Sequence, residues 1–299
     1  MELRHIRYFV TLAETLHFGR AADLLGMSQP PLSQQIRALE EELGARLFER
    51  TSRRVRLTEA GQLFLVEARR LLEQADHAAD IARRAAHGER GELKIGCATS
   101  VPLVPKVANA VFTFRQTYPE VRLDLTEMTR AEQLSALDAG TLGIGFIRGF
   151  HPPPLAPHLR IEMVLEEGLV VAMHRDDPLA SLNRALTIAD LAQSAFILYA
   201  RDIGTGFNEH LDLLCQDAGY RPRVVQETRG LSMLLGLVGA GLGVTIISRS
   251  LSALSLENII YRPLEGRDTL SRLWMVHRST PAPTSANFIR LLERTPARP

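Results

Sequence analysis

From Thr58 to about residue 87 the chain carries Phe64, Ala68, Leu71, Ala75, Ala78, Ala82 and Ala85 in steps of 4-3-4-3-4-3. A heptad seam held over three repeats predicts one long helix, with Thr58 as its cap. Most of the seam is alanine, so the helix offers too little apolar surface to be a domain core, yet its backbone can come close to that of a second helix. It reads as a dimerising linker, with Phe64, Ala68, Leu71, Ala75, Ala78 and Ala82 as the contact. At roughly 150 residues per domain, a chain of 299 residues already leans towards two domains. The helix divides it into 1–58, 59–89 and 90–299.

The residues before the linker predict three short helices and a hairpin. Leu3, Ile6, Val10 and Ala13 recur at helical spacing, and Phe18 to Leu25 gives a second helix whose Ala21 and Ala22 admit close packing. Gly26-Met27-Ser28 turns the chain. Ser28 is placed to cap a third helix with Pro30 and Pro31 in its first turn, where a missing N–H costs nothing. Leu32, Ile36, Leu39 and Leu43 form its buried stripe and Gly44 ends it. Counted at about 100° per residue from that stripe, Pro30, Ser33, Gln34 and Arg37 point outward, with Gln29 at the tip. Glu40-Glu41-Glu42 would repel phosphates, so this helix would enter a major groove N-terminus first and read bases through Gln29, Ser33 and Gln34. A small bundle with a solvated polar face explains the helices equally well. The next eleven residues favour DNA: Leu47 to Leu57 alternates as a hairpin, and its tip residues Arg53 and Arg54 suit phosphates or a minor groove.

Charge adds little to this reading except locally. The net charge of +1 leaves no general attraction for nucleic acid, and residues 1–90 hold 14 basic and 13 acidic side chains. Between Arg46 and Arg56, however, five arginines face one acid, Glu49. Two cysteines exclude a disulfide framework and fit a reducing cytosol, and the 9 histidines include no pair at metal-ligand spacing. No cofactor is expected. Gly230 to Ser248 is free of charge, but its five glycines and the run Val244-Thr245-Ile246-Ile247 read as a buried helix, a turn and a buried strand, not a membrane span. Gly239-Ala240-Gly241-Leu242-Gly243 follows a helix and precedes a strand, the reverse of a dinucleotide fingerprint. No G-x-S-x-G sequence and no phosphate loop occurs. Catalysis has no support, so the chain is not read as an enzyme.

Residues 91–299 alternate strand and helix patterns, which predicts an α/β domain with largely parallel strands. Strands are expected at Glu92–Ala98, Val121–Met128, Leu142–Ile147, Leu169–Met173, Phe196–Tyr199, Val224–Glu227 and Val244–Ile247. Open α/β sheets bind ligands beyond the carboxyl ends of their strands. The polar residues at those ends are Thr99 and Ser100, then Thr129 and Arg130, then Arg148. Gly204-Thr205-Gly206-Phe207 opens a further helix and offers a flexible backbone with one aromatic ring. Thr99, Ser100, Thr129, Arg148, Thr205, Gly206 and Phe207 are therefore the candidate ligand residues. A small carboxylate is the expected ligand, held by hydroxyls, the N-terminus of the Val104 helix and the Arg148 guanidinium, and covered by Phe207.

The stretches Phe18-Gly19-Arg20-Ala21-Ala22, Ser28-Gln29-Pro30-Pro31-Leu32-Ser33-Gln34-Gln35-Ile36, Leu47-Phe48-Glu49-Arg50 and Leu57-Thr58-Glu59-Ala60-Gly61 resemble the N-terminal region of the LysR-type transcriptional regulators. Many members of that family carry arginine where this chain has Gln34. The resemblance extends more loosely along the whole chain. It implies an N-terminal winged helix-turn-helix and a long linker helix. It also implies a two-subdomain Rossmann-like effector domain of the periplasmic-binding-protein type, with subdomain I at about 91–161 plus 268–299 and subdomain II at about 162–267. Two crossover strands would join the subdomains, with the effector between them. The implied partners are double-stranded operator DNA, a small-molecule effector and a second or further copies in a homodimer or homotetramer, with room left for RNA polymerase. Met128-Thr129-Arg130-Ala131-Glu132-Gln133 and Gly145-Phe146-Ile147-Arg148 further resemble the muconate-, chlorocatechol- and benzoate-responsive branch. The competing reading is a cytosolic solute-binding or enzymatic α/β protein whose N-terminal region serves assembly alone.

Overall fold

The computed structural model describes residues 1–51, 54–203 and 206–296, without the side chain of Asp202. The chain forms two compact units, Met1–Arg84 and Ala85–Pro299.

In the first unit, α1 (Leu3–Thr15), α2 (Phe18–Leu24) and α3 (Gln29–Leu43) precede a short antiparallel hairpin, β1 (Phe48–Arg50) and β2 (Val55–Leu57). The helix α4 (Glu59–Ala86) comes next. Ile6, Phe9, Val10, Leu12, Ala21, Ala22, Leu32, Ile36 and Leu39 pack into one core. Leu3 and Leu43, which the spacing assigns to apolar stripes, are exposed, as is Leu24 at the end of α2. Gly44 caps α3 with φ 66°, as its position predicts. Ser28 occupies the N-cap position but its side chain makes no capping hydrogen bond. Thr58 does cap: its hydroxyl accepts from the Gly61 N–H at 2.9 Å and donates to the Arg46 carbonyl at 2.7 Å. A Cβ at Gly61 would lie 2.1 Å from the Leu47 carbonyl oxygen, so only glycine lets α4 start against the hairpin.

The second unit is α/β. Its elements are β3 (Arg90–Cys97), α5 (Pro105–Thr117), β4 (Glu120–Glu127), α6 (Arg130–Ala139), β5 (Ile144–Gly149), β6 (Leu159–His174), β7 (Ala195–Tyr199), α7 (Phe207–Asp217), β8 (Arg223–Thr228), α8 (Leu231–Gly239), β9 (Thr245–Ser248), β10 (Ile259–Leu264), β11 (Leu270–Arg278) and α9 (Pro283–Arg294). The main sheet runs β10-β6-β11-β5-β3-β4, and β9 also pairs with β6. Parallel pairing holds for β3 with β4 and β5, and for β7 with β8. The strands from β5 through β11 and β6 to β9 and β10 are antiparallel, which corrects the expectation of largely parallel strands.

The antiparallel strands are the crossovers. β6 pairs with β11 up to Gly168 and with β9 and β10 from Leu169 onward, so one strand serves both halves. The change of half therefore falls at Gly168–Leu169, later than the boundary implied at residue 161. The sequence pattern reveals only the second part of β6 and gives no sign of β10, β11 and α9. In the first half α5 and α9 cover one face of the sheet through Phe114 and Phe288, while Leu137 and Leu142 cover the other. In the second half α7 supplies Leu211 and Cys215 to one face, and α8 supplies Leu234 and Val238 to the other. The charge-free stretch from Gly230 to Ser248 is α8, a glycine turn and β9. No helix among the described residues is long and apolar enough to cross a membrane.

Candidate DNA-contacting face and effector cleft

Burial of Leu32, Ile36 and Leu39 turns the opposite side of α3 outward, and there Gln29, Pro30, Gln34 and Arg37 are exposed and Ser33 half-exposed. Those five residues share one face, the N-terminal half of a helix in a helix-turn-helix arrangement. Arg54 is exposed on the hairpin, whereas Arg53 lies outside the described residues. Two of the neighbouring charges do something the sequence did not suggest. Glu40 does not point at a partner's phosphates: its carboxylate accepts the N–H groups of Leu47 and Phe48 at 2.9 and 3.0 Å and the Arg50 guanidinium at 2.5 Å. Arg50, held there and lying 5.3 Å over the Phe18 ring, is part of the scaffold that fixes the hairpin to α3.

The alanine seam of α4 divides. Ala68 is fully buried in the N-terminal core, and the half-buried Phe64 meets Phe9 edge-on at 4.9 Å, so both are engaged within this unit. Their spacing serves packing within the unit, because the same helical period brings residues to a core and to a coiled-coil seam. Leu71, Ala78 and Ala82 are exposed and Ala75 half-exposed. Leu63 and Val66, which lie off the seam, carry exposed apolar surface near the start of α4.

In the second unit a cavity of about 300 Å³ lies between the two halves. Its walls include Thr99, Ser100, Thr129, Arg148 and Phe207 of the predicted set, and also Glu127, Arg130, Gln133, Tyr199 and Arg229. Gly206 caps α7 in the left-handed conformation at φ 73°, and Thr205 lies outside the described residues. Apolar lining comes from Ala98, Met128, Ile147, Ile203, Ile246 and Leu251.

The hydrogen bonds already made decide which polar groups can serve a ligand. The Thr129 hydroxyl donates to Glu132 at 2.8 Å and accepts the Glu132 N–H at 3.3 Å in a capping box, so it is spent on starting α6. The Thr99 hydroxyl donates to Glu127. Ser100 differs. Its oxygen accepts from Arg148 Nε at 2.8 Å, and among the described residues nothing accepts the hydroxyl proton. Nor does a backbone acceptor there take the N–H of Thr99 or Ser100. These three donors sit together at the end of β3. The helix N-terminus expected beside them is displaced, because a 3-10 turn, Val101–Leu103, intervenes and α5 starts at Pro105.

Arg148 is buried and engaged. Its guanidinium donates to Ser100, to Glu167 at 2.5 Å, to Ser250 at 3.3 Å and to Ser271 at 3.4 Å. Glu167, on β6, also accepts from the Ser250 N–H at 2.7 Å and its hydroxyl at 2.8 Å. With side chains only 6% and 10% exposed, the pair neutralises itself, and the expectation of a free guanidinium for a ligand carboxylate is corrected. Burial lowers the Arg148 pKa and Glu167 opposes the shift. Arg130 reaches the Arg148 carbonyl at 3.3 Å, and its buried Nε has no hydrogen-bond partner among the described residues. A Cβ at Gly149 would lie 2.6 Å from the Arg130 guanidinium, so that glycine makes room for it.

Comparison with known proteins matches this architecture. Residues 3–62 match the family described as bacterial regulatory helix-turn-helix protein, lysR family, and residues 86–297 match the LysR substrate binding domain. The chain belongs to the LysR family of transcriptional regulators. It is 41% identical over 286 residues to the uncharacterized HTH-type transcriptional regulator YnfL of Escherichia coli strain K12, covering 94% of this chain and 95% of YnfL. BenM, an HTH-type transcriptional regulator of Acinetobacter baylyi, is 34% identical over 282 residues, or 93% of this chain and 90% of BenM. Full-length CbnR, solved in complex with its target DNA, superposes with a TM-score of 0.83 at 31% identity over 100% of both chains. The BenM effector-binding domain, solved with its effector benzoate, gives 0.61 at 25% identity over 68% of this chain and 91% of that one.

Proposed function

We propose that this LysR-family regulator binds operator DNA as an oligomer, through the exposed face of α3 and the hairpin, and that a small carboxylate in the cleft controls it. As a DNA-binding regulator it works in the cytoplasm. The outward side of α3 carries the DNA reading: its base-reading side chains Gln29, Ser33 and Gln34 are oriented by the burial of Leu32, Ile36 and Leu39. CbnR, with the same fold over its full length, was solved on its target DNA. Leu71, Ala75, Ala78 and Ala82, together on one side of α4, supply the surface for a second copy, which a two-half-site operator requires.

Fluorescence anisotropy on DNA upstream of the protein's own gene tests this. Gln29→Ala or Ser33→Ala should cost about 1–3 kcal/mol and relax sequence preference, while Arg54→Ala should weaken all sequences alike and flatten the salt dependence. Equal effects on specificity from both classes would refute the division.

For the effector, the carrying observation is the trio of unused donors, the Thr99 and Ser100 N–H groups and the Ser100 hydroxyl, at one end of a largely apolar cavity. Donors converging without an acceptor suit an anion. Benzoate in the BenM domain makes aromatic acids natural members of the class, with Phe207 against the ring. Calorimetry with benzoate, muconate and neutral benzamide, on the full chain and on Ser100→Ala, checks it. Arg148→Ala would be a poor probe, since it strands Glu167 in the interior at a cost of about 3–5 kcal/mol. Benzamide binding as tightly as benzoate, indifferent to Ser100→Ala, would overturn the carboxylate reading.

A further inference from the structure

Glu127 is the one feature of the cleft that a site for carboxylates does not call for. It ends β4 directly beside Cys97 of β3 in the parallel register, lines the cavity, and accepts the Thr99 hydroxyl. The other glutamate in the wall, Glu132, has its carboxylate taken up by the Thr129 N–H and hydroxyl. An ionised carboxylate can accept about four hydrogen bonds, and Thr99 supplies one. The same Thr99 contributes its N–H to the anion cradle, so Glu127 lies next to the cradle and not at the far end of the cavity. Tyr199 reaches the cavity from the other half, and its phenol is pushed up to about 12 by burial first and by Glu127 second, which places the two groups in each other's field.

An acceptor beside a row of donors selects a ligand that carries both kinds of group close together. We infer that Glu127 makes this cleft favour, among carboxylates of similar size, monocarboxylates bearing a hydrogen-bond donor, a hydroxyl or an ammonium, on the first or second carbon from the carboxylate. The carboxylate rests on the Thr99 and Ser100 donors, and the neighbouring hydroxyl or ammonium donates to Glu127. A plain acid offers Glu127, which is solvent-exposed, no donor to accept. A short dicarboxylate sets a second negative charge against it, and like charges brought together cost affinity steeply. The inference rests on the cleft being the carboxylate site proposed above.

Calorimetry on the full chain with lactate against propionate, 3-hydroxybutyrate against butyrate, alanine and malonate reads it directly. The intact protein should prefer a donor-bearing acid over its plain partner by at least about tenfold, the range of a hydrogen bond to a charged group. Malonate should be the weakest. Glu127→Ala should bring each pair to within about twofold, and the isosteric Glu127→Gln should raise malonate affinity about tenfold by removing the opposing charge. Equal affinities within both pairs on the intact protein, or preferences unchanged by Glu127→Ala, would overturn the inference while leaving the carboxylate site standing. Binding of none of these acids, nor of benzoate or muconate, would overturn that site and the inference with it.

Discussion

Replacing Glu40 with alanine separates two opposite expectations about the recognition helix. On charge alone, an acid near DNA repels it, and its removal should tighten operator binding. The structure predicts the reverse. Leu47 and Phe48 are buried, and their N–H groups depend on the Glu40 carboxylate at 2.9 and 3.0 Å. Each buried donor left unpaired costs about 1–3 kcal/mol. Glu40 itself is 12% exposed, so water can reach the gap and the lower part of that range applies to each. Arg50, 24% exposed, partly rehydrates when its partner goes, and the lost ion pair adds about 1 kcal/mol at most. The sum is about 2–4 kcal/mol at the root of the hairpin. Glu40→Gln keeps an acceptor for the backbone and should lose only about 1 kcal/mol. The readout is local: hydrogen exchange of a peptide spanning residues 45–57 should accelerate at least about tenfold in Glu40→Ala, since exchange tracks the free energy of local opening. Operator affinity should fall in parallel. Unchanged exchange together with tighter DNA binding would refute the structural role.

Two further outcomes concern the second unit. Gly88 holds φ 68°, a Cβ there would lie 2.5 Å from the Pro283 carbonyl carbon, and Asn287 Nδ2 bonds the His87 and Gly88 carbonyls at 2.9 and 3.0 Å. Gly88→Ala should therefore destabilise this unit by about 2–5 kcal/mol, read from the fluorescence of Trp274, the only tryptophan and one that belongs to the same unit. His210 stacks on Phe150 at 3.6 Å and donates from Nε2 to the Asp268 carbonyl at 2.7 Å, and burial holds its pKa below the usual 6.5. The folded state then binds fewer protons than the unfolded one, so its contribution is complete above the unfolded pKa and declines as pH falls through about 6.5 towards the folded value. Urea melts should show that acid-side decline, and His210→Phe should make it shallower; an identical pH profile in the variant would remove His210 from the account.

The sequence was most informative where a local rule governs the outcome. Gly44 ends α3 because a left-handed residue must, and Thr58 starts α4 because its hydroxyl satisfies an end N–H. The outward set from Gln29 to Arg37 comes from the period of one helix, and Thr99 and Ser100 reach the cavity because chain ends of parallel strands do. Identity of an element was harder to read where its partner is distant. β11 and α9 are 9 and 12 residues long, yet no local pattern reveals them, since their burial depends on β5, β6 and α5, far away in the chain. The seam of α4 shows the limit of periodicity: Phe64 and Ala68 keep the same step as Ala75 and Ala78, and only the presence of Phe9 beside the first pair decides which surface is core. Charge was the least legible property. Residue type alone suggests a role for each of Arg148, Glu40 and Thr129, but a donor or acceptor has a fixed capacity, and tertiary contacts with Glu167, with the Leu47 and Phe48 amides and with Glu132 use it. The sequence by itself determined the helix ends, the outward face of α3 and the strand-end polar residues, because those obey rules that act over one or two turns of chain. Which polar groups remain for DNA or a ligand was decided by tertiary structure alone, because hydrogen-bond capacity is allotted among neighbours that the chain brings together only on folding.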